Sequence, residues 1–168
     1  MPVKINGATN GSVTLAAPAT GSDVTLTLPA ASGTVQTVPG AWTSYTPILT
    51  EWTLGNGTLT GSYSIIGKTV SARVNFVVGS TTTKSGNLTL SLPVTSVNYT
   101  NAAHIGVCYM EDAAVVGFNG FVRLGSTTTM NPFRITSTTG QADFVTPTGP
   151  FTWDTGDFLG LTITYEAA

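Results

Sequence analysis

One histidine and one cysteine, His104 and Cys108, stand four residues apart in this chain. A cysteine becomes a nucleophile when an imidazole touches it, at about 3 Å, and takes its proton. Four residues along an extended strand place two side chains on one face but about 13 Å apart. The spacing therefore argues for a buried thiol and a strand-end histidine rather than a catalytic dyad. A structural zinc site needs further nitrogen or sulfur ligands, and the chain has no other His or Cys. Two carboxylate groupings follow: Glu111-Asp112, and Asp154 with Asp157 around Thr155-Gly156. Paired carboxylates hydrolyse glycosidic bonds, and larger sets of oxygens hold calcium. Here each grouping has too few acidic members and no EF-hand order, while Asp and Gly are also the residues that tight turns select. The reading is of a non-enzyme with no catalytic residues, no metal and no cofactor.

The aromatic residues offer a different chemistry. Trp42, Tyr45, Trp52, Tyr63, Tyr99 and Trp153 could stack on sugar rings, and Trp52, Tyr99 and Trp153 are singled out as glycan-facing. The loops at 79–87, 94–103 and 146–156 would gather such a cluster. The competing fate is packing in a core or against another subunit.

The elements that must position these residues are strands. Charged residues make up 8% of the 168, against about 25% in an average globular protein. Roughly one residue in five is Thr, whose branched Cβ suits a pleated strand and whose hydroxyl faces water. The six basic residues are scattered and the formal net charge is −2, which argues against nucleic-acid binding, since that needs several basic groups on one face. No apolar run approaches the ~20 residues of a membrane-spanning helix. No basic, apolar leader opens the sequence, so a soluble chain without an export signal is expected. A lone Cys excludes an internal disulfide framework. So few charges on so many strands demand that the sheet edges be covered.

Two regimes divide the chain. In residues 1–39, Val13-Thr14-Leu15 with Pro18 is echoed by Val24-Thr25-Leu26 with Pro29. These strand-sized alternations carry too few apolar side chains for a core of their own. They read as an extended N-terminal β-arm that docks or oligomerises through Val13, Leu15, Val24, Leu26, Leu28 and Val35. Residues 40–168 contain about eight strands with turn signals every 8–12 residues, the pattern of an antiparallel β-sandwich, jelly-roll-like. The clearest are a hairpin, 58–66 with 68–78, around Gly67-Lys68, and a closing strand from Phe158 to Tyr165. A Thr-rich loop is expected at 80–86.

Taken in order, Gly11-Ser12-Val13-Thr14-Leu15, Thr25-Leu26-Thr27-Leu28-Pro29 and Gly33-Thr34-Val35 resemble the N-terminal arm of tailed-bacteriophage virion proteins. Trp42-Thr43-Ser44-Tyr45-Thr46-Pro47, the stretch from Gly55 to Tyr63, Leu92-Pro93-Val94 and the ending Trp153 to Ala168 extend the likeness over nearly the whole chain. The resemblance implies a structural protein of the particle surface, assembled in the bacterial cytoplasm. Its partners would be itself, as a homotrimer, and the major capsid protein or a tail protein, with host-surface glycan as a further ligand and neither nucleic acid nor membrane. Within that group, a compact chain without a long shaft favours a capsid decoration (cement) protein. The alternative is a minor tail or short tail-fibre protein binding host-surface glycan.

Overall fold

The computed structural model describes residues 3–6, 12–15, 42–99, 104–113, 115–136 and 139–168. Two units divide the chain, Met1–Val35 and Gln36–Ala168. In the first, β1 (Val3–Asn6) pairs antiparallel with β2 (Ser12–Leu15), setting Val3 opposite Leu15 and Ile5 opposite Val13. The Val13-Thr14-Leu15 repeat thus pairs with the start of the chain, a strand the alternation did not announce. Val24, Leu26, Leu28 and Val35 lie outside the described residues.

The second unit is built from β3 (Thr43–Tyr45), β4 (Leu49–Thr53), β5 (Thr58–Ile66), β6 (Thr69–Val77) and β7 (Thr83–Ser91), then β8 (His104–Asp112), β9 (Val116–Leu124), β10 (Thr129–Ile135), β11 (Ala142–Phe144) and β12 (Phe158–Glu166). No helix occurs among the described residues, so none is long and apolar enough to cross a membrane. The strands make one ten-stranded sheet in the order β3-β5-β6-β12-β8-β9-β10-β7-β4, with β11 beside β10. Every pairing is antiparallel. The two ends of that order, β3 and β4, are consecutive in the chain. Only Thr46, Pro47 and Ile48 separate them, a span of at most about 14 Å. The sheet must therefore curl until its edges nearly meet, and it does so as an antiparallel half-barrel.

Period-two alternation decides what the curl encloses. On β6, Val70, Ala72, Val74 and Phe76 point inward; in register on β12 stand Tyr165, Ile163, Leu161 and Leu159. Cys108 and Met110 of β8, Val122 and Leu124 of β9, and Leu88 and Leu90 of β7 continue the same core. The hairpin between β5 and β6 turns at Gly67, whose φ of 60° is left-handed and open to glycine without strain. Tyr165 anchors the last strand by donating from its hydroxyl to the Val94 carbonyl at 2.8 Å.

Two local differences from the expected pattern have clear causes. The Thr-rich stretch expected as a loop enters β7 at Thr83, because Thr83 and Lys84 pair with Thr53 and Trp52 of β4 at the sheet edge. β4 itself carries no alternating apolar signal: only Trp52 is buried, and a register slip at Glu51 (φ 66°) turns that indole inward. Pro132 sits inside β10 where that strand changes neighbour from β7 to β11, so its missing N–H falls at a break in the ladder.

Candidate functional site

The same alternation that fills the core lays out the opposite face of the sheet. Between the inward positions of β5, β6, β12, β8 and β9, the register aligns Thr60, Asn75, Gly160, Tyr109 and Asn119 in one outward row across five strands. The next outward row is Ser62, Arg73, Thr162, Val107 and Phe121. Both rows are short and polar at the β5–β6 side and more apolar at β8. Because Gly160 has no side chain, the middle of the first row is low: a Cβ there would stand 2.9 Å from the Phe158 ring, which leans across it, and 3.6 Å from Asn75 Oδ1.

The result is a shallow trough running across the strands. One hollow, about 550 Å³, lies among Arg73, Asn75, Tyr109, Asn119, Gly160 and Thr162. A second, about 380 Å³, shares Arg73 and Asn75 and continues past Thr60 and Ser62 to Ser44 and Trp42. Aromatic rings stand toward the two ends. Trp42 is 45% exposed, with the Arg73 guanidinium stacked on one ring face at 4.3 Å. Arg73 is held there by donating from Nε to Ser62 Oγ at 2.7 Å. Tyr109 is 42% exposed and its hydroxyl reaches over Gly117 of the next strand. Desolvation and the neighbouring Glu111 carboxylate raise the Tyr109 phenol above its ordinary value, so it remains a neutral donor at physiological pH. Among the described residues, the side chains of Asn75, Asn119, Thr60 and Thr162 have no hydrogen-bond partner.

The residues singled out from the sequence fall elsewhere. Trp52 and Trp153, expected to face a glycan, are 3% and 0% exposed. That expectation is corrected: their rings pack edge-to-face at 5.7 Å inside the core, and their indole N–H groups donate to the Gly86 and Gly149 carbonyls. Tyr99 is exposed beside a separate hollow of about 230 Å³ lined by Val97, Asn98, Leu124 and residues 125–127. Tyr45 and Tyr63, also considered as sugar platforms, meet each other edge-to-face at 5.9 Å and pack on the core. Of the six aromatic candidates, only Trp42 belongs to the trough. Tyr109 was missed, although β8 carries a signal for it: Val107 and Tyr109 alternate with buried Cys108 and Met110, so that strand is apolar on both faces.

The titratable pairs behave as structure. His104 lies opposite Arg123, and the register slips between His104 and Gly106. The Cys108 thiol is buried and donates toward the Phe121 and Phe133 carbonyl oxygens at 3.6 and 3.7 Å; burial pushes it up to about 12. Asp157 is buried, and backbone N–H groups occupy both its oxygens: Ala113 donates to Oδ1 at 2.9 Å and Asp154 to Oδ2 at 2.5 Å. It is the clasp of a turn. Among the described residues, no three His, Cys, Asp or Glu side chains gather where they could hold a metal.

A second cluster on the outward face, Phe121, Phe133 and Phe144, stacks at 5.2 and 4.4 Å beneath Arg123, 4.6 Å above the Phe133 ring. It packs β11 against the sheet. Compared with known proteins, the chain matches no family model, no curated protein and no solved structure.

Proposed function

We propose that this chain is a non-catalytic structural protein of a tailed-phage particle, a homotrimeric decoration protein held on the capsid surface by its N-terminal arm. The observation that carries the reading is the arm. Its described part is a hairpin of two four-residue strands in a unit of its own, and an isolated two-stranded hairpin is marginal in water. The arm gains stability by adding strands from a neighbour, through Val13, Leu15, Val24, Leu26, Leu28 and Val35. The curled sheet of the second unit serves as a jelly-roll-like sandwich that projects from the shell and meets water with Thr and Ser. Repetition on a symmetric surface turns modest contacts into tight retention.

The test compares the full chain with a variant lacking residues 1–39. Sedimentation should give a trimer for the first and a folded, smaller species for the second. Only the full chain should bind undecorated particles. A full chain that is a folded monomer at micromolar concentration, or a truncated one that still binds particles, refutes the proposal.

A second reading is favoured by the trough: a minor tail or short tail-fibre protein that binds host-surface glycan. Its aromatic ends, and amides that have no partner among the described residues, suit sugar better than they suit a shell of packed protein.

A further inference from the structure

We propose that the outward face of β5, β6, β12, β8 and β9 holds an extended oligosaccharide laid across the strands, with Trp42 and Tyr109 as stacking platforms and Arg73, Asn75 and Asn119 binding hydroxyls between them. This rests on the carbohydrate-binding reading above and gives it a site other than the one the sequence suggested.

Length is the first argument. Trp42 precedes β3 and Tyr109 lies on β8, four places along in the sheet order. At about 4.8 Å per strand the two strand positions that carry the rings lie roughly 19 Å apart across the sheet. One sugar ring cannot reach both, whereas a chain of several can. The two hollows meet at Arg73 and Asn75, so nothing interrupts the path between the rings.

Chemistry is the second. A pyranose presents a face of C–H groups and a rim of hydroxyls that both donate and accept. The trough offers the matching set: half-exposed aromatic rings at its ends, and along its floor amides and hydroxyls without a partner among the described residues. An amide donates and accepts at once, as a hydroxyl requires. Fixed by Ser62 and stacked on Trp42, Arg73 presents its terminal N–H groups beside the Trp42 end of the path.

Other occupants fit less well. A nucleic-acid strand needs several cations, and among the described residues Arg73 is the only charged side chain lining either hollow. An apolar protein surface would leave Asn75, Asn119 and Thr162 desolvated and unpaired, at a cost for each. A second copy of this chain would have to bury those same groups against one another.

The experiment uses the full chain against immobilised hexasaccharides of glucose, galactose, N-acetylglucosamine and galacturonate, followed by calorimetry on any that bind. At least one should bind with Kd of about 1 mM or tighter. Trp42→Ala and Tyr109→Ala should each weaken it about tenfold or more, with melting temperatures recorded for both to show that they fold. The disaccharide of the same sugar, too short to join the rings, should bind at least about tenfold more weakly than the hexasaccharide. Failure of all four hexasaccharides to bind overturns the proposal and the carbohydrate-binding reading together. Binding that survives both substitutions but is lost in Tyr99→Ala overturns the trough alone and moves the sugar to the hollow beside Tyr99. If the four do not bind and Val107→Asp splits the protein into smaller species, the face is a contact between copies, and the proposal falls.

Discussion

Replacing Trp153 by alanine separates a core indole from a ligand-binding one. The side chain is 0% exposed. Its ring packs edge-to-face on Trp52 at 5.7 Å and on Phe151 at 4.6 Å, and its N–H donates to the Gly149 carbonyl at 3.3 Å. Truncating a buried aromatic to alanine costs about 3–5 kcal/mol in lost transfer energy and residual cavity. For a domain of this size, 1 kcal/mol moves the melting temperature by about 3–5 °C, so Trp153→Ala should melt roughly 10–25 °C below the parent. Trp42→Ala provides the contrast. That ring is 45% exposed and its described contact is the Arg73 stack, worth about 0.5–1 kcal/mol at an exposed site. Its melting temperature should fall by no more than about 5 °C. The assay is differential scanning calorimetry of both variants at one concentration and pH. A Trp153→Ala protein that melts within a few degrees of the parent, or a Trp42→Ala protein that loses as much as it does, refutes this assignment of inward and outward faces.

Two further outcomes test local features of the same sheet. Glu51 holds a left-handed φ of 66°, which costs a non-glycine residue about 1–2 kcal/mol. Glu51→Gly should therefore raise stability by about 0.5–1 kcal/mol once glycine's greater chain entropy is set against that relief, read as a higher urea midpoint; a lower midpoint would show that the carboxylate does more than tolerate the turn. Cys108 stays protonated up to about 12 when folded because it is buried, while an exposed thiol ionises near 8.5. Between those values the unfolded chain binds fewer protons than the folded one, so stability falls as pH rises through the window, by up to about 1.4 kcal/mol per pH unit from this group. Tyr165, pushed up to about 12 chiefly by desolvation, adds a loss of the same sign beginning near 10. Urea midpoints at pH 8 and 10 should differ less in Cys108→Ala than in the parent; an unchanged difference would place the thiol in contact with water.

Much of the sheet was legible because alternation is a direct record of two-sided burial. The β5–β6 hairpin and β12 stand where Val70, Val74 and Phe76, and Leu159, Leu161 and Ile163, announced them. β4 and the start of β7 were not legible, because edge strands with one face in water need few apolar residues. What defines Thr83–Lys84 as strand is a pairing with residues some thirty positions earlier. The glycan-facing assignment of Trp52 and Trp153 failed for a related reason. Residue type says that an indole will be largely covered, but not by what, and only the curl of the sheet brings these two rings to 5.7 Å. The arm residues Val13 and Leu15 fall on a strand, as their alternation suggested, but their partner Val3–Asn6 shows too little pattern to read alone.

The trough was hidden by the arithmetic that made the core visible. A position earns notice in a sequence when it is apolar in a polar setting, and Asn75, Asn119, Thr60 and Thr162 are ordinary residues for the wet side of a strand. Five strands must be placed in register before these residues share a row, and the sequence does not state the order β5-β6-β12-β8-β9. Once the row exists, Gly160 changes meaning: in a strand interior it weakens the strand, but here its missing side chain is what lets the hollow reach from Asn75 to Tyr109. Substituting it should separate the two roles. Gly160→Ala must displace the Phe158 ring, 2.9 Å from the new Cβ, and would partly fill the trough while leaving the inward residues Leu159 and Leu161 in place. Loss of oligosaccharide binding with a melting temperature close to the parent's would assign the glycine to the ligand. A large fall in melting temperature would assign it to packing, and the trough would then be a by-product of how Phe158 fits the sheet.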